Sequence, residues 1–250
     1  MKKILFAIAL AVVATACHNT ESNIAQEQFG TMDIRLMTAD HVSSTDDTQT
    51  KYYVPRPDSD LLNLNISTPA GEVLYDGLID DFDTTKQYAT GEKIVKVWYS
   101  NIDDEGYNKP YFEGADVVTV PGYGMTAELS LTVAVANAAI AIECTELFNS
   151  YFASASFKVV TENCAEGHVY NDNSRELLFV APRKVTVKCT AVGPTGTRYE
   201  ISQPIENLRP GYRNIVSFDM KQAGNVSMKI SFNNQIVGTH LIEVELNDQA

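Results

Sequence analysis

From Thr31 onward, apolar residues recur at every second position. Met32, Ile34 and Leu36 alternate with Asp33 and Arg35, and Leu62, Leu64 and Ile66 alternate with Asn63 and Asn65. That period belongs to a strand with one face buried and one face wet. The pattern returns in "TPAGEVLYDG", where a Pro/Gly turn leads into Val73 to Tyr75, and in "EKIVKVWYSN", rich in β-branched and aromatic residues. Asp-, Ser-, Thr- and Gly-rich stretches separate these runs, notably "DHVSSTDDTQTK" and "NIDDEGYNKP", and read as loops. No long stretch carries a helical period, and "DDFDTTKQY" reads as a short helical turn at most.

A second block opens near residue 129. In "LSLTVAVANAAIAIEC", Leu129, Leu131, Val133 and Val135 form one face. Ile140, Ile142 and Cys144 form another, after a slip around Ala136 to Ala139 that reads as a bulge or corner. Further strands are expected in "SFKVVT", "ELLFVA", "KVTVKCTAVG", "RYEISQPI", "NIVSFDM", "SMKISFN" and "THLIEVEL". Short strands at this spacing, punctuated by Gly, Pro and Asn, predict an all-β chain of antiparallel β-sandwiches. A chain of 250 residues suits two of them. The expected organisation is a signal peptide at 1–16, a flexible tether at 17–28, one β-sandwich at 29–127 and a second at 128–250. The joint is expected within "PGYGMTAE".

The first residues obey a different grammar. Lys2 and Lys3 precede the apolar run from Ile4 to Val13, which is too short to span a bilayer, and small residues follow it. Ala14-Thr15-Ala16-Cys17 resembles the bacterial lipobox, with Ala14 in place of the usual Leu. The resemblance implies that Cys17 is acylated and becomes the new N-terminus. Several acyl chains on one residue hold a protein to a membrane stably, where a single chain does not.

Charge narrows the partners. Acidic residues outnumber basic ones 32 to 19, a formal net charge of −13. Loss of residues 1–16 removes Lys2 and Lys3, so 17 basic residues face 32 acids and the charge becomes −15. Such a chain repels phosphate backbones, and no basic stripe with interleaved aromatics offsets this, so nucleic acid is not an expected partner. Cys144, Cys164 and Cys189 lack CxxC spacing, and His18, His41, His168 and His240 are scattered singly. Neither a metal nor a cofactor is expected. Cys144 and Cys189 each end an alternating run and are expected in a core, as buried thiols or facing each other across two sheets. No GxSxG, HExxH, Walker or paired-carboxylate signature is present, and the chain is not expected to be an enzyme.

Three weaker patterns remain. The acidic groups Asp80, Asp81, Asp83 and Asp103, Asp104, Glu105 read as solvated turns in preference to calcium loops. Trp98, Tyr99, Tyr107, Tyr111 and Phe112 read as core in preference to a sugar-stacking platform. An exposed Trp98 beside Tyr99 or Tyr111 would favour the sugar. Asp83-Thr84-Thr85 resembles a short O-glycosylation motif.

The segment from Pro110 to Thr161 resembles a family of Bacteroidetes lipoproteins known as domain of unknown function 4493. Its Tyr/Phe-x-Gly element matches Tyr111, Phe112 and Gly114, its small-residue-Asn turn matches Ala136-Asn137, and its Phe-rich segment matches Phe148, Tyr151 and Phe152. "NISTPAGEVLYDG" and "KVWYSN" resemble the family's first domain, and the likeness runs over roughly residues 29–250. The family is grouped with fimbrillin-like proteins, the subunits and anchors of lipoprotein-derived pili. The resemblance implies two tandem transthyretin-like sandwiches, lipid-anchored at the outer membrane through Cys17. It also implies a structural or adhesive role with a fimbrial or other envelope protein as partner, and no catalytic residue. The alternative is a surface module that binds a glycan. An anchor or tip is expected over a stalk subunit, because sites for a trypsin-like cut are scarce. Arg35 lies within a strand, Arg56 precedes Pro57, and only Lys51 sits in an open loop. Beyond the last strand, Ile242, Val244 and Leu246, only Asn247 to Ala250 remain.

Overall fold

The computed structural model describes residues 28–38, 54, 57–171, 176–222, 225–233 and 240–244, with backbone alone for 37–38 and from 221 onward. The signal peptide, Cys17, the tether to residue 27, His18, His41, Lys51, Arg56 and Asn247 to Ala250 lie outside the described residues.

In chain order the strands are β1 (Phe29–Thr38), β2 (Asn63–Ser67), β3 (Val73–Leu78), β4 (Tyr88–Ala89), β5 (Gly91–Tyr99), β6 (Gly106–Tyr107), β7 (Phe112–Val120), β8 (Thr126–Val135) and β9 (Ala138–Cys144). They continue as β10 (Ser154–Val160), β11 (His168–Tyr170), β12 (Leu178–Val180), β13 (Val185–Val192), β14 (Arg198–Ile205), β15 (Arg213–Gln222), β16 (Asn225–Asn233) and β17 (His240–Val244). One α-helix is described, α1 (Glu146–Tyr151), with short 3-10 turns at Ser59–Leu61 and Ile79–Asp81. The chain is all-β, as its period-2 patterning predicts.

The strands form two blocks, each around its own core. The first carries the order β3-β2-β5-β7-β8-β1-β4. Leu64, Ile66, Val95, Val97 and Val118 from one half of that order meet Met32, Leu129, Leu131 and Val133 from the other in a single apolar cluster. The two halves therefore face each other as layers. Each fully buried side chain of this size contributes about 1.5–3 kcal/mol. β7 and β8 meet at only two residue pairs, Phe112↔Val135 and Glu113↔Ala134, where the sheet turns from one layer to the other. Gly114 stands at that corner. A Cβ there would lie 2.3 Å from the Thr132 carbonyl oxygen, so only glycine allows the approach.

The second block packs the sheet β11-β10-β13-β14 against the sheet β17-β16-β15-β9-β12-β6. Ile140, Ile142, Leu178, Val216 and Phe218 face Phe157, Val159, Val187 and Cys189. Helix α1 closes one end with Phe148, which is fully buried against Phe152, Phe157 and Phe218. Cys144, Cys164 and Cys189 remain thiols. Burial, and then the neighbouring Cys144, push the Cys189 thiol up to about 12, so it stays protonated.

Two features depart from the sequence-based expectations. Most ladders are antiparallel, but each block holds one parallel pair, β1 with β8 and β9 with β15. Both pairs join strands distant in sequence, as a parallel ladder requires. The second departure moves a boundary. The expected division at residues 127 and 128 would assign β8 to the second block, yet β8 pairs with β1 along eight positions from Thr31↔Thr126 to Thr38↔Val133 and fills the first core. "PGYGMTAE" is a turn inside the first block, with positive φ at Tyr123 and Gly124. The slip at Ala136 to Ala139 is the passage between blocks, not a bulge within one strand.

Candidate functional site: the junction and the outer face of β5

Between β5 and β7 the chain leaves the first block. Residues 100–111 run into the second block, and β6 becomes the edge of its six-stranded sheet through Gly106↔Phe179 and Tyr107↔Leu178. The Asn108 amide extends this ladder by donating to the Leu177 carbonyl at 3.0 Å. The Tyr107 hydroxyl donates to the Val169 carbonyl at 3.2 Å and accepts from the Asn171 amide at 2.7 Å.

Glu105 enters most deeply, with 4% of its side chain exposed. One carboxylate oxygen accepts from the Ala181 amide at 3.0 Å, and the other accepts from the Thr161 hydroxyl. His168 Nε2 lies 3.6 Å away, close enough for an ion pair whenever the ring is protonated. Hydrogen bonds to a charged group contribute about 1.5–3 kcal/mol each, so Glu105 carries most of this contact. Asp103 bridges to Arg183 at 3.0 Å and accepts from Asn163 at 3.2 Å, and Asp104 pairs with Lys109 at 2.5 Å. The Asp103–Arg183 pair is half-exposed and adds about 0–1 kcal/mol. Asp103 and Asp104 stay half-exposed, as the expected solvated turn requires, and Glu105 departs from it by entering the second block as a clasp filled by protein donors.

The family-like residues converge on the same junction. Asn137, fully buried, accepts from the Tyr111 amide at 3.1 Å and donates to the Lys109 carbonyl at 2.9 Å. Its own carbonyl accepts from Gly211 at 2.8 Å. Ala139, Leu177 and Phe179 of the second block pack with Val54 and Val135 of the first. Tyr111, Phe112, Gly114 and Asn137 therefore share one architectural task, and Phe148 and Phe152 fill the neighbouring core. Thr161, His168 and Arg183 complete the clasp. They lie far from Glu105 in sequence, and no motif marked them.

The expected aromatic group divides. Tyr99 and Phe112 pack together in the first core with ring centres 6.5 Å apart, Tyr111 is buried, and Tyr107 lies in the clasp. Trp98 alone points to the outer face, half-buried and outside every apolar cluster. Its cross-strand neighbours are Asn63 and Glu113, and Lys96 Nζ stands 6.0 Å from its ring centre. Lys96 bridges to Glu113 at 3.0 Å, and the Tyr111 hydroxyl donates to the same carboxylate. Burial, followed by the Glu113 charge and hydrogen bond, pushes the Tyr111 hydroxyl up. Partial burial pulls Glu113 upward, but its bonds from Tyr111 and Lys96 hold the carboxyl below its usual range. The face thus offers one aromatic surface beside amides and a fixed charge pair.

Asp80 and Asp81 lie on a 3-10 turn. Asp83 accepts from the Thr85 amide and hydroxyl at 2.9 and 2.6 Å, closing an Asx turn that leaves Thr84 exposed. Those hydrogen bonds hold the Asp83 carboxyl below its usual range. Among the described residues no three His, Cys, Asp or Glu side chains gather as metal ligands, and no helix is long and apolar enough to cross a membrane.

The chain resembles several solved structures. A protein assigned to cell adhesion from Bacteroides eggerthii shares 10% identity, over 84% of this chain and 97% of that one, at a TM-score of 0.42. The fimbrial anchor protein Mfa2 from Porphyromonas gingivalis shares 8%, over 85% and 99%, at 0.41. A fimbrial assembly protein from Parabacteroides distasonis shares 9%, over 72% and 90%, also at 0.41. No curated protein matches the sequence. The family model described as Domain of unknown function (DUF4493) matches residues 28–248, both blocks and the junction between them, and the chain belongs to that family.

Proposed function

We infer that the protein is an envelope lipoprotein with a structural or adhesive role, held at the outer membrane through Cys17 as a fimbrial anchor or tip component. The observation that carries this reading is the clasp. An adhesive or anchoring protein must pass tension from membrane to partner. Burial of Glu105 in the neighbouring block, together with Asn137, joins two sandwiches into one stiff unit instead of two hinged ones. Family membership supports it, through the likeness of these lipoproteins to fimbrillin-like proteins. The test is made in the native cells. Mass spectrometry of the wild-type chain is expected to find acyl groups on an N-terminal Cys17, with the protein in the outer-membrane fraction beside surface filaments. Cys17→Ala is expected to release it into the soluble fraction and to lower surface attachment of the cells. An unmodified wild-type N-terminus, or unchanged attachment without the protein, would overturn the reading.

A glycan-binding module is the second reading, favoured by the place of Trp98 on a polar outer face. Sugars present C–H faces that stack on an indole and hydroxyls that amides such as Asn63 and Asn65 pair with. Trp98 is the single tryptophan, so its emission reports on this face alone. Titration with neutral oligosaccharides is expected to shift that emission saturably, and Trp98→Ala is expected to lose the binding. Constant emission across a broad glycan panel sinks this reading.

A further inference from the structure

The first block has one end remote from the clasp, and the chain enters there. Phe29 opens β1, and the Gly124 amide donates to its carbonyl at 2.9 Å. The Thr31 amide donates to the Met125 carbonyl at 3.0 Å, and the Thr90 amide donates to the Gln28 carbonyl at 2.8 Å. These bonds gather residues 28–32, 87–91 and 117–127 into one surface. The turn lies tightly on β1, where a Cβ at Gly30 would stand 2.2 Å from the Pro121 carbonyl oxygen. Phe29, Tyr123 and Met125 are exposed on this surface by 37%, 66% and 54%.

Charge sets the surface apart. In a chain with 32 acidic and 19 basic residues, none of the three segments contains Asp, Glu, Lys or Arg. The nearest charges are Lys93, whose ammonium donates to the Gly91 carbonyl at 3.1 Å, and Glu92, which lies across from Thr119. Exposed apolar side chains gathered on segments that carry no charge of their own mark a contact surface. Aromatic residues with one polar end and a thioether suit the boundary between headgroups and acyl chains.

We propose that this end of the first block rests on the lipid surface, with Phe29, Tyr123 and Met125 dipping into the interface. The proposal builds on the reading that Cys17 carries lipid. The chain from Cys17 to Phe29 spans at most roughly 40 Å, and it ends on this surface and no other. Electrostatics selects the same orientation. A surface with anionic lipid repels the acidic flanks more than this end, where the charges of Glu92 and Lys93 offset each other. The clasp and the second block then point away from the membrane. Trp98, seven residues along β5 from Gly91, stands roughly 23 Å from the interface.

Brominated lipids quench indoles that touch acyl chains, and the single native tryptophan makes the experiment clean. The full acylated chain is placed in brominated phosphatidylcholine vesicles in two forms, the wild type and Trp98→Phe/Tyr123→Trp. Mass spectrometry of the same preparations reads Cys17. The wild-type indole is expected to keep its emission. The Tyr123→Trp reporter is expected to lose at least half of its own. Met125→Trp in the Trp98→Phe background serves as a second reporter should the first fail to fold. Acylated protein whose reporters stay unquenched overturns the orientation alone, and emission that changes with protein concentration instead of lipid would mean a second copy covers this end. A chain without acyl groups on Cys17 overturns the anchoring reading and the proposal together.

Discussion

Phe148→Ala is expected to destabilise the second block by about 3–5 kcal/mol, the cost of removing a fully buried phenyl ring and leaving a cavity. Phe148 has no exposed surface and packs at 4.7 Å from the Phe152 ring, 5.9 Å from Phe218 and 6.4 Å from Phe157. These partners come from β15, β10 and the end of α1, so the ring ties both sheets to the helix. The position cannot relax easily. The Thr145 hydroxyl caps α1 by accepting from the Phe148 amide at 3.2 Å and donates to Asp219 at 2.7 Å. The Thr145 amide also bonds the Phe218 carbonyl. A domain's whole stability is about 5–15 kcal/mol, so the loss is a large share of it. Thermal unfolding of the locked two-block unit should show a midpoint lower by roughly 6–20 °C. The adjacent Leu147 is 52% exposed, and Leu147→Ala should stay within about 0.5 kcal/mol of wild type. Equal effects at 147 and 148 would refute the packing described for this helix.

That helix illustrates what the sequence conceals. Strands such as β2, β5 and β13 are legible because one face is buried along their whole length, and a period of two survives any local detail. Trp98 is placed on the outer face by the same parity, opposite Val95 and Val97. Helix α1 is six residues long, too short for a helical period, and its only local signal is Thr145 at the cap. β8 was assignable to either block, since its alternation records that one face is buried and not against what. "PGYGMTAE" carries every mark of a linker, whereas the true passage, Ala136-Asn137, has neither Gly nor Pro. Glu105 was the least legible residue. An acidic run between two strands is usually solvated, and only the return of residues 161, 168, 181 and 183 makes it a clasp. Cys17 is the converse case: the lipobox resemblance that proposes its acylation is wholly local in sequence, and the residue lies outside the described residues.

Asn137→Ala is expected to cost about 1.5–4 kcal/mol and to loosen the two blocks from each other. The estimate follows from what the substitution strands. Asn137 is 1% exposed, so water does not replace its side chain. The buried Tyr111 amide loses its acceptor, which costs about 1–3 kcal/mol, and the half-buried Lys109 carbonyl loses its donor, which costs about 0.5–1 kcal/mol. Both groups flank the entry to β7, directly after the clasp loop. Their release frees the segment that carries Glu105 and Tyr107 into the second block. The wild type, read as two domains divided after Val135 and locked at this junction, should unfold in one denaturant transition. The variant should separate into two, and the Tyr111 and Asn108 amides should exchange hydrogen faster while amides in β13 keep their protection. Asn137→Asp discriminates further. Its carboxylate can still accept from Tyr111 but cannot donate to Lys109, and it buries a charge, so it should rescue little. If Asn137→Ala unfolds in a single transition with an unchanged midpoint, the side chain does not hold the junction, and the stiffness attributed to the clasp must come from Glu105 and the apolar contacts alone.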